Sequence, residues 1–246
     1  MNVMYLDHIV SFHRRSLSKP WLKTKARGLV ASVFICLSCF AAYAEPAKTK
    51  ILVLGDSLTA GYQLPLNASF PPVLEARLRA KGLHVDIINA SVSGDTASGG
   101  LERLEWSLAA GADAVIVELG ANDMLRGIDV EVTYAALDSI LDKLKQRNIP
   151  VLLAGMKAAR GVGAEYRDAF DSLYPRLAAR HGALLYPFFL EGVAGRSEFN
   201  LPDGIHPNAA GVRRIVEGIE PLVEELIRKT HAATPTPPGA GPRGPG

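Results

Sequence analysis

Ile51-Leu52-Val53-Leu54-Gly55-Asp56-Ser57-Leu58-Thr59-Ala60-Gly61-Tyr62 runs from four apolar residues through a glycine into residues that cap helices. Four apolar residues are too few for a helix and suit a strand buried on both faces. Short, mainly apolar runs return at Val85 to Ile88, Ala114 to Leu119, Val151 to Ala154 and Ala183 to Tyr186. Their starts lie 34, 29, 37 and 32 residues apart, the length of a strand, a crossover helix and two loops. No sequence repeat accompanies that spacing, which excludes a solenoid. Helical i, i+3, i+4 spacing fills the intervals: Phe70, Val73, Leu74 and Leu78; Leu101, Leu104 and Leu108; Tyr134, Leu137, Ile140, Leu141 and Leu144; and a long stripe from Val212 to Ile227. Pro221 is expected to kink or divide the last of these. The pattern predicts an α/β domain of three layers, with five parallel strands between helices, and puts any ligand site at the carboxyl ends of the strands.

The ends of the chain do not continue this ladder. Residues 1–27 carry six basic side chains against the single acid Asp7, and Leu29 to Ala42 are fourteen uncharged residues ending in Ala42-Tyr43-Ala44. That is the layout of an export signal over residues 1–44, with cleavage before Glu45, and it implies a periplasmic or secreted domain over 45–230. The apolar run is short of the roughly 20 residues a spanning helix needs, so no stable membrane insertion is expected after cleavage; an uncleaved anchor is the alternative. Six of the 27 Lys+Arg and one of the 25 Asp+Glu fall in residues 1–44, so the remainder holds 21 against 24 and is net −3. The basic balance therefore belongs to the leader and gives no reason to expect nucleic acid as a partner. Ala232 to Gly246 hold five prolines and four glycines in fifteen residues, and residues 231–246 read as a disordered tail. Cys36 and Cys39, the only cysteines, sit in the leader, so neither a disulfide framework nor a cysteine-ligated metal is available to the domain.

Four strand-end loops carry the candidate chemistry. Asp56 and Ser57 after the first run could simply cap a helix; alternatively, Ser57 is a nucleophile at a helix N-terminus. Neither a G-x-S-x-G elbow nor a G-x-x-x-x-G-K-[ST] phosphate loop is present, since position 59 is Thr59. The second loop contains Gly94, and the third is Gly120-Ala121-Asn122-Asp123. A glycine N–H and an asparagine amide are suited to hold an oxyanion together with the N–H of Ser57. The last loop, Leu201-Pro202-Asp203-Gly204-Ile205-His206-Pro207-Asn208, places Asp203 three residues before His206. The carboxylate can then accept from Nδ1 and leave Nε2 to take a proton from a hydroxyl. Nucleophile, base and oxyanion donors are each supplied once, which favours a catalytic reading over helix capping.

These blocks resemble the SGNH or GDSL hydrolases, in Gly55-Asp56-Ser57-Leu58, the loop of Gly94, Gly120-Ala121-Asn122-Asp123 and Asp203-Gly204-Ile205-His206-Pro207. Within that family the likeness is greatest to the bacterial periplasmic arylesterase, acyl-CoA thioesterase and lysophospholipase group, and it covers nearly all of residues 50–229. The resemblance implies a flavodoxin-like strand order 2-1-3-4-5 and a serine esterase mechanism without metal or cofactor. Ser57, Asp203 and His206 would be catalytic, and Ser57, Gly94 and Asn122 would form the oxyanion hole. The substrate would be a small ester or thioester. Relatives keep a Pro-Asn-Tyr-Gly-like stretch after the fourth strand, where this chain has Ala158-Ala159-Arg160-Gly161-Val162-Gly163. Three apolar stretches are candidates for an acyl pocket: Met124 to Val130, Met156 to Val162 and Phe188 to Phe199. Two readings of other classes stand beside the hydrolase. One is a flavin-phosphate domain, for which the first loop lacks a Ser/Thr-rich cradle; the other is a non-catalytic carbohydrate- or lipid-binding relative, which would not need Ser57 and His206 together.

Overall fold

The computed structural model describes residues 48–233. Five strands form one parallel sheet: β1 (Thr49–Gly55), β2 (Val85–Asn89), β3 (Ala114–Glu118), β4 (Val151–Ala154) and β5 (Leu184–Tyr186). Their spatial order is β2-β1-β3-β4-β5. The winding therefore reverses at β1, and the crevice between the ends of β1 and β3 is the switch point where α/β sheets bind ligands. The expected leader, 1–44, lies outside the described residues, and so does the expected tail apart from 231–233, which continue the last helix.

Eight α-helices connect and flank the described strands: α1 (Ser57–Ala60), α2 (Phe70–Ala80), α3 (Ala97–Glu102), α4 (Leu104–Ser107), α5 (Ala121–Leu125), α6 (Val130–Gln146), α7 (Ala164–His181) and α8 (Ala209–Ala233). α2 packs on α8 over one face of the sheet, and α6 packs on α3 and α7 over the other. The middle layer is dry: Ile51 to Leu54, Ala114 to Val117 and Leu152 to Ala154 have no exposed surface. Onto it the helices press Leu74 and Leu78, Leu137 and Ile140, Phe170 and Leu173, and Val216 and Ile219. Each such side chain contributes about 1.5–3 kcal/mol of burial free energy. No described helix is long and apolar enough to cross a membrane.

Three local features add to the sequence expectations. α8 runs through Pro221 without dividing. Pro221 is on the exposed face, so the carbonyl it leaves without a donor meets water, while Val212 to Ile227 bury an unbroken stripe on the other face. α7 was not among the helical patterns, although Phe170, Leu173, Tyr174 and Leu177 keep helical spacing and are buried; Pro175 interrupts it from the solvent face. The Leu101, Leu104, Leu108 pattern breaks at Arg103 into α3, α4 and a 3-10 turn over Leu108–Ala110. Arg103 turns its guanidinium inward onto the carbonyls of Gly55 (3.0 Å) and Ala90 and onto the Asp95 carboxylate. Those bonds tie the ends of β1 and β2 to the loop that carries Gly94.

Candidate active site

β1 ends at Gly55, where a Cβ would come within 2.1 Å of Thr59 Oγ1 and 3.0 Å of Glu118 Oε2. Only glycine lets the chain turn so tightly over those two side chains. Asp56 then caps α1, its Oδ1 accepting from the Leu58 N–H at 2.9 Å. Ser57, the first residue of α1, is 9% exposed. α1 is only four residues long and closes on Gly61 in the left-handed conformation, φ 83°. The helix-dipole support expected at Ser57 is thus limited to one turn of free N–H groups.

From 149 residues further along the chain, His206 brings Nε2 to 3.0 Å from Ser57 Oγ. Its Nδ1 lies 2.8 Å from Asp203 Oδ2. The short spacing between the two residues is closed by backbone bonds, since Asp203 Oδ1 accepts from the N–H groups of Ile205 (2.9 Å) and His206 (3.0 Å). These two bonds, with the imidazole, hold the Asp203 carboxyl down at about 2 from its ordinary 3.8, so it is ionised at neutral pH. Tyr62 covers the other side of the imidazole, with ring centroids 4.2 Å apart and tilted 31°. α8 is capped by Asn208, whose Oδ1 accepts from the N–H groups of Ala210 (2.9 Å) and Gly211 (3.0 Å), so His206 is not needed there.

Asn122 lies in the first turn of α5, and its Nδ2 donates to Asp56 Oδ2 at 2.9 Å. A primary amide has two N–H bonds, so this one fixes the side chain and leaves the second for a ligand. Asp56 therefore does more than cap a helix: it links the residue before Ser57 to the asparagine at the end of β3. Burial pushes its pKa up to about 6 despite the bonds from Leu58 and Asn122. Gly94 occupies the turn after β2 at φ 88°, and its carbonyl accepts from Arg126 Nη2 at 2.6 Å. The structure thus brings Ser57, His206 and Asp203 into one hydrogen-bonded line, holds Asn122 against the Asp56 side of the serine, and keeps Gly94 on the adjoining turn.

Sequence reasoning left several residues of this neighbourhood unassigned: the Asp56 contact to Asn122, Tyr62 over the imidazole, Arg126 on Gly94, and Glu118. The last had a visible signal, an acidic side chain inside the apolar run Ala114 to Leu119. Asp123, beside Asn122, is buried and structural, accepting from Ala97 N (2.9 Å) and Thr133 Oγ1 (3.1 Å). Of the three stretches expected to line an acyl pocket, Met156, Phe189 and Val193 are core residues. Among the exposed apolar side chains, Tyr62, Val92, Leu125 and Ile205 lie within five residues of Ser57, Gly94, Asn122 or His206 in the chain and are 39, 45, 55 and 46% exposed. Among the described residues, no group of three or more His, Cys, Asp or Glu side chains is placed to hold a metal ion.

The family model described as the GDSL-like Lipase/Acylhydrolase family matches residues 53–214, a span that takes in all four loops. The chain belongs to this family. It is thereby an ester-bond hydrolase by descent, with the five-stranded parallel sheet of its GDSL relatives. Its sequence is 39% identical over 197 residues to the arylesterase of Vibrio mimicus, covering 80% of this chain and 95% of that protein. It is 38% identical over 196 residues to thioesterase 1/protease 1/lysophospholipase L1 of Escherichia coli (strain K12), covering 79% and 91%. Among solved structures, that of TesA superposes with a TM-score of 0.70 at 37% identity, over 72% of this chain and 99% of that one.

Proposed function

We propose that this GDSL-family chain is an exported serine esterase in which Ser57, His206 and Asp203 form the catalytic triad and the N–H groups of Ser57 and Gly94 with the Asn122 amide hold the oxyanion. His206 Nε2 takes the Ser57 proton as Oγ bonds to the carbonyl carbon, and then delivers it to the departing alcohol or thiol. Water, deprotonated by the same nitrogen, attacks the acyl-serine and releases the acid. The observation that carries this reading is the continuous line from Asp203 Oδ2 through the imidazole to Ser57 Oγ, at 2.8 and 3.0 Å.

The substrate is an ester with an apolar acyl or aryl group. Tyr62, Val92, Leu125 and Ile205 are exposed apolar residues, and each lies within five residues of a site residue in the strand-end segments. The similarity to an arylesterase and to a thioesterase/lysophospholipase leaves ester and thioester chemistry on one site. The apolar leader ending at Ala44 supports delivery to the periplasm or the medium, and an N-terminal sequence beginning at Glu45 on the exported protein would establish it.

The deciding experiment is labelling of the purified protein with a fluorophosphonate beside Ser57→Ala, followed by a p-nitrophenyl ester series from acetate to palmitate. Labelling that disappears in the variant is expected, and the chain-length optimum separates a short-acyl arylesterase from a long-acyl thioesterase or lysophospholipase. Folded wild-type protein that takes no label would overturn the proposal in favour of a binding protein.

A further inference from the structure

Glu118 is the last residue of β3 and has no exposed surface. The β1–β3 register pairs it with Gly55, which sets its side chain under the turn that carries Asp56 and Ser57. Oε2 lies 3.2 Å from Thr59 Oγ1 and receives the Asp56 N–H at 3.4 Å, a long bond. Oε1 is buried without a partner. Asp56 next to it is better supplied: Oδ1 takes the Leu58 N–H and Oδ2 the Asn122 amide, both at 2.9 Å.

Two buried carboxyl groups in contact do not both ionise, and the charge settles on the one whose two oxygens are better supplied with short hydrogen bonds. Asp56 has a donor on each oxygen, whereas one oxygen of Glu118 has none, and an orphaned oxygen costs a carboxylate far more than a carboxylic acid. A proton on Glu118 also completes an orderly chain. As a carboxylate, Glu118 would draw the Thr59 hydrogen onto Oε2 across the 3.2 Å contact; as an acid, its Oε2–H would instead donate to Thr59 Oγ1 and free the Thr59 hydrogen for Ser91 Oγ at 2.9 Å, with Ser91 donating to the Val53 carbonyl at 3.5 Å. Each hydroxyl in that chain gives one hydrogen and receives one.

We propose that Glu118 is a positioning residue, a neutral carboxylic acid that braces the Gly55–Thr59 turn and keeps Asp56 the ionised partner that aims the Asn122 amide at the oxyanion. This rests on the oxyanion role of Asn122 given above. Burial and the adjoining Asp56 both push Glu118 well above the ordinary carboxylate range. The other titratable groups that act on this pair are His206, whose charge favours an ionised Asp56, and Tyr174 of α7, which donates to the Leu119 carbonyl at 3.0 Å and is itself pushed up by burial and by Glu118. Arg103, the cation bound to Gly55, directs its donors to Gly55, Ala90, Ser107 and Asp95, with none to Glu118.

The full-length protein and its Glu118→Gln and Glu118→Ala variants provide the test. Glu118→Gln keeps the shape and a donor to Thr59 without a charge, and is expected to retain kcat within about threefold and an unchanged pH profile. Glu118→Ala is expected to lose about 10²-fold in kcat with little change in KM, comparable to losing one oxyanion donor, while still taking the fluorophosphonate label. Infrared difference spectra of wild type against Glu118→Gln at neutral pH should contain the C=O stretch of a protonated carboxyl group, a readout independent of activity. Absence of that band, a Glu118→Gln variant as impaired as Glu118→Ala, or a fully active Glu118→Ala would each overturn the proposal. Wild-type protein that fails to label at Ser57 would instead sink the esterase mechanism and leave the infrared result standing.

Discussion

Two aspartates flank Ser57, and their surroundings are opposites. Asp56 has no exposed surface, whereas the Asp203 side chain is 35% exposed. Each accepts hydrogen bonds on both oxygens, yet one is raised to about 6 and the other lowered to about 2. The difference is solvent. At Asp203 the bonds from two N–H groups and the imidazole act on a carboxylate that water already stabilises. At Asp56 burial outweighs two bonds of similar length. The exposed aspartate is thus a permanent anion that orients a base, and the buried one is a group whose charge depends on pH and on its neighbour Glu118.

The largest expected effects come from the residues between the two arms. Ser57→Ala and His206→Ala should each lower kcat by about 10³-fold or more in p-nitrophenyl ester turnover, because both arms act through that one hydrogen bond. Asn122→Ala should cost about 10² to 10³-fold in kcat at nearly constant KM. If the buried arm is one unit, Asp56→Ala combined with Asn122→Ala loses scarcely more than Asn122→Ala alone, and full additivity of the two would break the unit apart.

Smaller effects test the contrast in sign through melting temperature against pH. Asp56 binds protons more tightly folded than unfolded, since its folded pKa of about 6 exceeds the ordinary 3.8. Wild type should therefore lose stability relative to Asp56→Asn as pH rises from about 4 to 6, and the gap should then level off. Asp203 is the reverse case, with a folded value of about 2 below 3.8. Its contribution is present above about 4 and is lost as pH falls toward 2, so the advantage of wild type over Asp203→Asn should fade across that window. Partial exposure makes this last effect the smallest. Two variants shifting in the same direction would show that burial does not separate the two aspartates.

Much of this arrangement was legible in the chain. The central strands are buried on both faces and nearly apolar throughout, and the edge strands β2 and β5 keep enough of that character for all five to stand out as short runs, with the loops after them locating the candidate residues. Asp203 and His206 were readable as a pair because three residues of separation and two backbone N–H bonds suffice to bring them together. Glu118 and Asp56 were not readable as a pair. They are 62 residues apart and meet only through the alignment of β1 with β3. Arg103 looked like one position in an amphipathic helix, yet its guanidinium finds three acceptors at the ends of β1 and β2 and in the Gly94 loop, and the helix breaks there.

The sequence by itself determined the layer architecture, the edge of the sheet that bears the site and which residue types stand there, because burial and turn formation are local demands on side-chain type and spacing. Only the tertiary structure decided which carboxyl faces which donor. Hydrogen bonds of about 3 Å depend on strand register and on how deeply each group lies, and those are set by packing between segments far apart in the chain.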